Sequence, residues 1–219
     1  PDVPKHQGLT MFWLDLKAPG IEIRPIHQMS GGSSFNEVWF EDVRISDAQR
    51  LGPVDGGWKV ALFTLMNERL AIGTSGGVGP EDILAFAAQA NGADGPLLKD
   101  AAFRQTLADW WVQSEGLRNT RMRTITALSK GQVPGPESSI GKIVAANQLQ
   151  AIGNTAVEAG DQYGIISDPA LSPLKGAFHA ATIWAPGLRI AGGTDEILKN
   201  IIAERVLGLP GEIRVDKDQ

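Results

Sequence analysis

The chain contains no cysteine, which excludes a disulfide framework, a thiolate nucleophile and thiolate metal ligands. Histidine is nearly as scarce. His6, His27 and His179 stand far apart without an H-E-x-x-H or comparable spacing, so little is available for a zinc site and none is expected. No apolar run approaches the roughly 20 residues that a membrane-spanning helix needs, so stable membrane insertion is not expected. Basic residues are not in excess: 20 Lys and Arg against 25 Asp and Glu leave a net charge of -5. That balance argues against nucleic acid as the main partner and provides no polybasic patch for an anionic membrane. G-x-x-x-x-G-K-[ST] and a G-x-G-x-x-G after a strand are missing, so phosphate-loop and dinucleotide chemistry lack their usual signatures, and GGSS (31–34) has no G-x-S-x-G elbow pattern that would support serine hydrolysis. The opening PDVPKHQG is not a signal peptide and has no Met; it reads like the interior of a longer chain. The absence of cysteine is compatible with a cytoplasmic protein.

What is present supports a packed protein: 42% hydrophobic and 21% charged residues over 219 positions allow a real core. The first 50 residues are strand-like. LTMFWLDL (9–16), IEIRPI (21–26) and FNEVWFEDVRI (35–45) alternate in part, with Pro25 marking an edge strand or a strand end and a bend near Asp42. The period then changes. WKVALFTLMNERLAIGTSGG is helical up to Gly73, and three further helices are predicted over 97–129, 138–163 and 195–207. Turn-rich stretches separate them at 91–96, 129–136, 167–173 and 184–187. The expected fold is α+β: the end of a small β-barrel or sandwich over 1–50, then a four-helix bundle over 51–219.

Two features carry chemistry. On the first helix Ala61, Leu65, Glu68 and Ile72 share one face, while Phe63, Met66 and Leu70 lie opposite. A carboxylate in that apolar setting, on a helix expected to be buried throughout, would have a raised pKa, as a general base requires. The alternative is a core ion pair with Arg69 or another arginine. Near the C-terminus, Gly192 and Gly193 feed a helix capped by Thr194, with Asp195 and Glu196 in its first turn. Such a turn can receive a ligand, although two acids at the helix start weaken a phosphate reading, and plain capping is the favoured reading from the residues alone. PESSIGK (136–142) reads as a helix start capped by Ser138 or Ser139. Trp110 and Trp111 sit mid-helix, where one is expected to face a neighbour.

Together PGIEIRPIHQMSG (19–31), FNEVWFEDVRI (35–45), GGWKVALFTLMNERLAIG (56–73), PESSIGK (136–142) and IAGGTDEILKNIIAERVLGLP (190–210) resemble, in order, the acyl-CoA dehydrogenase family. The resemblance implies FAD as cofactor, an acyl-CoA substrate and oxidation to the 2,3-enoyl-CoA. It also implies a role in lipid or fatty-acid degradation, and electron transfer to an electron-transferring flavoprotein or equivalent acceptor. In many members the base precedes the last helix as Glu-Gly-Thr; here that place reads Gly192-Gly193-Thr194. Another branch puts the base on the first bundle helix, directly before an arginine, as in Glu68-Arg69. The implied roles are therefore Glu68 as α-proton base with the β-hydride passing to FAD, the Gly192 amide as donor to the enolate oxygen, Arg69 near the substrate arm, and Gly193, Thr194 and Glu196 beside the flavin.

Two departures qualify these roles. The family's Arg-x-x-Phe-Gly is replaced by AQANG (88–92), and its late Gln and Gly-Gly by AVEAG (156–160). The N-terminal helical domain and the first part of the β domain have no counterpart in these residues. A homodimer or tetramer is the implied assembly. Because one branch pairs two unlike chains, a hetero-oligomer with this chain as a non-catalytic structural subunit is the alternative, and oxidase-like chemistry is another.

Overall fold

The computed structural model describes residues 3–4, 6–72, 76–92, 95–132 and 135–211, with the backbone alone for 66, 67 and 69–72. Two compact units divide the chain, Pro1–Glu68 and Arg69–Gln219.

The first unit is built from two short antiparallel ribbons. β1 (Met11–Phe12) pairs with β4 (Arg50–Leu51), and β2 (Ile21–Ile26) pairs with β3 (Phe35–Phe40). In the longer ribbon Ile21 faces Phe40, Ile23 faces Val38 and Pro25 faces Asn36. With two strands, every strand is an edge, which accommodates a residue lacking an N–H. Gly20 (φ 86°) begins the ribbon, and a Cβ there would fall 2.1 Å from the Glu41 carbonyl. The strands lie where predicted, but only as ribbons.

Helix α1 (Gly57–Ile72) starts against β1. The Gly57 amide donates to the Leu9 carbonyl at 2.7 Å, and His6 stacks on Trp58 with centroids 4.2 Å apart. Beyond that first turn Leu62, Phe63 and Leu65 are all exposed. The expected burial of this helix does not hold for these residues, while the side chains of Met66, Leu70 and Ile72 lie outside the described ones. Apolar patterning marks a face to be covered, and the two ribbons are too small to cover it.

The second unit contains the core. α2 (Pro80–Ala87), α3 (Ala101–Ser129), α4 (Ser138–Ala159), α5 (Ala177–Leu188) and α6 (Asp195–Arg205) form it, with a two-residue ribbon, β5 (Asn91–Gly92) and β6 (Gly95–Pro96), between α2 and α3. Asp100 caps α3 through the amides of Ala102 and Phe103. Ile83, Phe103, Trp110, Ile152, Phe178 and Ala181 meet in one buried cluster. Trp110 faces inward and Trp111 outward, as the pattern predicts. Gln148 donates to the Trp110 carbonyl at 2.7 Å and accepts from Ser114 at 3.0 Å, satisfying the buried polar groups between α3 and α4.

Two helices lie outside the sequence prediction. In α2, Pro80 is the first residue, and the Asp82 carboxylate accepts the Gly79 amide at 2.8 Å. In α5, WAPG (184–187) is helical instead of a turn. Pro186 forfeits one late backbone bond, while Ala181 and Ala185 are buried. α5 also lies so close to α4 that a Cβ on Gly153 would be 2.9 Å from the Thr182 nitrogen. Packing over that length outweighs one lost bond. α4 ends at Ala159, four residues before the predicted limit, and a 3-10 turn covers Asp161–Ile165. A Cβ on Gly164 would meet the Val157 carbonyl at 2.0 Å, so the chain can fold back sharply there.

Candidate functional site

The glycine turn before α6 is held as a closed loop. The Asp195 amide donates to the Arg189 carbonyl at 3.2 Å, and Arg189 Nε donates back to Asp195 Oδ2 at 2.8 Å. Between these ends Gly192 (φ 65°) and Gly193 (φ 100°) take left-handed conformations that side chains resist. A Cβ on Gly193 would also press on Leu198 at 3.1 Å. Thr194 caps α6 by accepting the Ile197 amide at 3.3 Å, as predicted. Neither the Gly192 nor the Thr194 amide makes a well-formed hydrogen bond to any described residue.

Under the turn lies a buried ionic cluster that the sequence does not single out. Lys142, on α4, is 1% exposed and donates to the Gly193 carbonyl at 2.7 Å. Its Nζ lies 3.6 Å from Asp195 Oδ1. Asp195 is 2% exposed; its Oδ2 accepts from Arg189 and also from Asn147 at 3.1 Å. Arg189 reaches Gln150 at 3.1 Å. Burial pushes the Asp195 carboxyl upward, but hydrogen bonds from Arg189 and Asn147 and the charges of Arg189 and Lys142 outweigh it and hold it below the usual carboxylate range. Burial lowers the pKa of Lys142, and Asp195 offsets this only in part. One carboxylate shared by two cations explains both directions. Glu196 is exposed and held low by its own backbone amide, then by the Thr194 hydroxyl.

Ser139, on the turn of α4 below Lys142, is fully buried, and its Oγ has no hydrogen-bond partner. Neither Ser138 nor Ser139 is the helix cap. The helix begins one residue earlier than the cap reading requires, so Glu137 takes that position and makes no side-chain capping bond. Ser139, Lys142, Ala146, Gly153 and Ala156 form one buried stripe on α4. A lysine on a small-residue stripe was the available signal for the cluster. The same lysine borders a cavity of about 220 Å³ shared with Gly77, Gln148, Leu149 and Leu188. Gly77 adds no room to it, because Leu149 already lies 2.7 Å from where a Cβ would stand.

Residues 55–207 match the family model described as acyl-CoA dehydrogenase, C-terminal domain. The chain belongs to the acyl-CoA dehydrogenase family. It is 34% identical over 212 residues to acyl-CoA dehydrogenase FadE34 of Mycobacterium tuberculosis, covering 96% of this chain and 28% of that protein. To acyl-CoA dehydrogenase IpdE1 of Mycolicibacterium smegmatis it is 32% identical over 218 residues, covering 96% and 51%. Two solved structures share the fold. The Tcur3481-Tcur3483 steroid ACAD superposes with a TM-score of 0.81 at 22% identity, covering 97% of this chain and 55% of that one. The ChsE4-ChsE5 complex from Mycobacterium tuberculosis gives 0.76 at 21%, covering 95% and 55%. The chain thus spans about half the length, or less, of the curated relatives it matches.

The family and the α+β fold inferred from the motifs are both borne out. Gly192, Gly193, Thr194 and Glu196 come together in one turn of the second unit. Glu68 is on α1 and exposed, which corrects the expected apolar burial for the reason given for that helix. The Arg69 side chain lies outside the described residues, as does Gly73. AQANG joins the end of α2 to β5, and AVEAG ends α4. Among the described residues no cluster of three or more His, Asp or Glu could hold a metal ion, and no helix is long and apolar enough to cross a membrane.

Proposed function

We propose that this chain acts in the flavin-dependent dehydrogenation of an acyl-CoA thioester to the 2,3-enoyl-CoA, with Glu68 as the α-proton base. The observation that carries the reading is the Gly192-Gly193-Thr194 turn. It has backbone amides available and no carboxylate of its own, so the base must come from elsewhere, and Glu68-Arg69 is the matching pair on the first bundle helix. In this reading the Gly192 amide donates to the thioester oxygen as negative charge develops there. Glu68 receives the α-proton, and Arg69 serves the substrate arm.

The donor set fits the uncharged parts of FAD. The Thr194 amide and the Gly193 backbone can approach a neutral ring or hydroxyl. The exposed Glu196 carboxylate already occupies the positive end of α6, which makes that end unsuitable for a pyrophosphate. FAD, when bound, supplies the two-electron acceptor. An electron-transferring flavoprotein or an equivalent is the expected onward acceptor.

Replacing Glu68 by Gln in the flavin-loaded protein keeps shape and removes the base. Acyl-CoA should still bind while flavin bleaching slows by about 10²–10⁴-fold; undiminished bleaching rejects the assignment. A second reading is a structural subunit of a two-chain enzyme, favoured by the paired names of the Tcur3481-Tcur3483 and ChsE4-ChsE5 structures. Stoichiometric flavin and turnover in a preparation containing this protein alone, as a homodimer or tetramer, would reject it.

A further inference from the structure

We propose that Lys142 is a positioning residue for the glycine turn: from inside the bundle it holds the Gly193 carbonyl and so fixes the direction of the Thr194 amide. The proposal rests on the reading of the turn given under Proposed function.

The geometry first shows what Lys142 is not needed for. Asp195 already has Arg189 at 2.8 Å and Asn147 at 3.1 Å. Lys142 stands 3.6 Å from the other carboxylate oxygen, an ion-pair distance beyond a good hydrogen bond. The formal charges of Lys142, Arg189 and Asp195 sum to one positive charge, so removing the lysine leaves a balanced pair. An apolar side chain of similar length would avoid the cost of burying an ammonium group. Besides facing Asp195 Oδ1 as an ion-pair partner, the ammonium makes a 2.7 Å bond to the Gly193 carbonyl.

That carbonyl is an effective handle. Two successive left-handed glycines form the least restrained backbone of the loop. In a planar peptide the carbonyl and the following amide point in opposite directions. Tying the Gly193 carbonyl to Lys142 therefore aims the Thr194 amide away from Lys142. The loop's ends are closed by the Asp195 amide on the Arg189 carbonyl, and Lys142 braces the middle, so that losing the tether also loosens this closure. Preorganised donors of this kind need no rearrangement when charge develops on a substrate.

The test uses the full flavin-loaded protein and two variants. Lys142→Met removes the donor and leaves the ion pair balanced. Ile152→Ala destabilises the same bundle at a fully buried site away from the turn. Amide hydrogen exchange at Asp195, whose N–H closes the loop, is read beside steady-state kinetics. Lys142→Met should speed Asp195 exchange about tenfold or more and lower kcat about tenfold with KM changed less than about threefold. Ile152→Ala should lower the melting temperature with kcat near wild type. Unchanged Asp195 exchange in Lys142→Met overturns the proposal, as does an equal kcat loss in Ile152→Ala. Undiminished bleaching in Glu68→Gln would instead reject the proposed chemistry; the exchange result would still decide the role of Lys142.

Discussion

The two units use similar residues to different effect. The first has Ile23, Ile26, Phe35, Trp39 and Phe40 along one ribbon, and all are exposed. Gly57 is its one buried residue among those described. The second buries Ile83, Ile152, Leu198 and Ala185 completely, together with a charged cluster. Hydrophobic content is therefore a poor guide to where stability resides; what matters is whether a second layer closes over the apolar face. The same contrast governs polar groups. Glu22 and Arg24 pair at 2.8 Å on the open ribbon, where water competes for both charges. Asp195 and Lys142 are enclosed, so losing the carboxylate strands the ammonium.

The sharpest way to break this comparison is to remove one carboxylate from each unit. Asp195→Asn leaves Lys142 buried without a counterion, and about 4 kcal/mol of bundle stability should be lost, read from urea unfolding by circular dichroism. Glu22→Gln should leave the unfolding midpoint unchanged. Equal effects would mean that the cluster is less enclosed than its contacts indicate. Next in size is a pair of isoleucines. Ile152→Ala should cost about 3 kcal/mol because the closely packed α4–α5 contact cannot collapse onto the space. Ile23→Ala, at 42% exposure, should stay within about 0.5 kcal/mol.

Titration separates the units in a third way. Asp195 has a lowered folded pKa, so its contribution is complete above the unfolded value near 3.8 and is lost as pH falls through the folded pKa. Lys142 is also lowered. Between its folded pKa and the unfolded value of 10.5, the unfolded chain holds a proton that the native state has released, so stability rises with pH there. Bundle unfolding followed from acid to alkaline pH should show both slopes, and Asp195→Asn should flatten the acid one, leaving the part due to Glu196. In the first unit, hydrogen bonds and charge from Arg24 and Arg50 lower Glu22 and Asp47. Both pairs are open to solvent, so 1 M salt should return those carboxylates toward ordinary values and leave Asp195 nearly unmoved.

The elements that could be read in the sequence were those with local punctuation. β2 was predicted to the residue because alternation and Gly20 define it, and α6 because Thr194 and the diglycine mark its start. α5 was hidden by WAPG, since local breakers say nothing about the face of α4 that accepts Ala181 and Ala185. The turn residues of the candidate site were visible as a motif. The lysine beneath them was not, because its partner Gly193 is 51 positions away and offers only a backbone carbonyl. Glu68 could be located on α1 but its surroundings could not, since periodicity describes a helix face without naming what covers it.

The smallest expected contrast lies between two hydroxyl caps, and it tests whether even a local bond inherits the character of its unit. Thr194 accepts the Ile197 amide and starts a helix whose Leu198 is fully buried. Thr194→Ala should cost about 1 kcal/mol, spread over the bundle because α6 cannot fray at its start without uncovering Leu198. Ser46 accepts the Ala48 amide at 3.3 Å while Gln49 receives the Ser46 amide at 3.1 Å, a reciprocal cap on a three-residue 3-10 turn. Ser46→Ala removes half of that arrangement, yet no residue of Asp47–Gln49 is buried, so the loss should remain within the turn. Site-resolved amide exchange distinguishes the two. Thr194→Ala should accelerate exchange at Leu198 and in the α4 segment beneath it, whereas Ser46→Ala should accelerate only Ala48 and Gln49. A global response to Ser46→Ala would show that the first unit is more cooperative than its exposed ribbons imply.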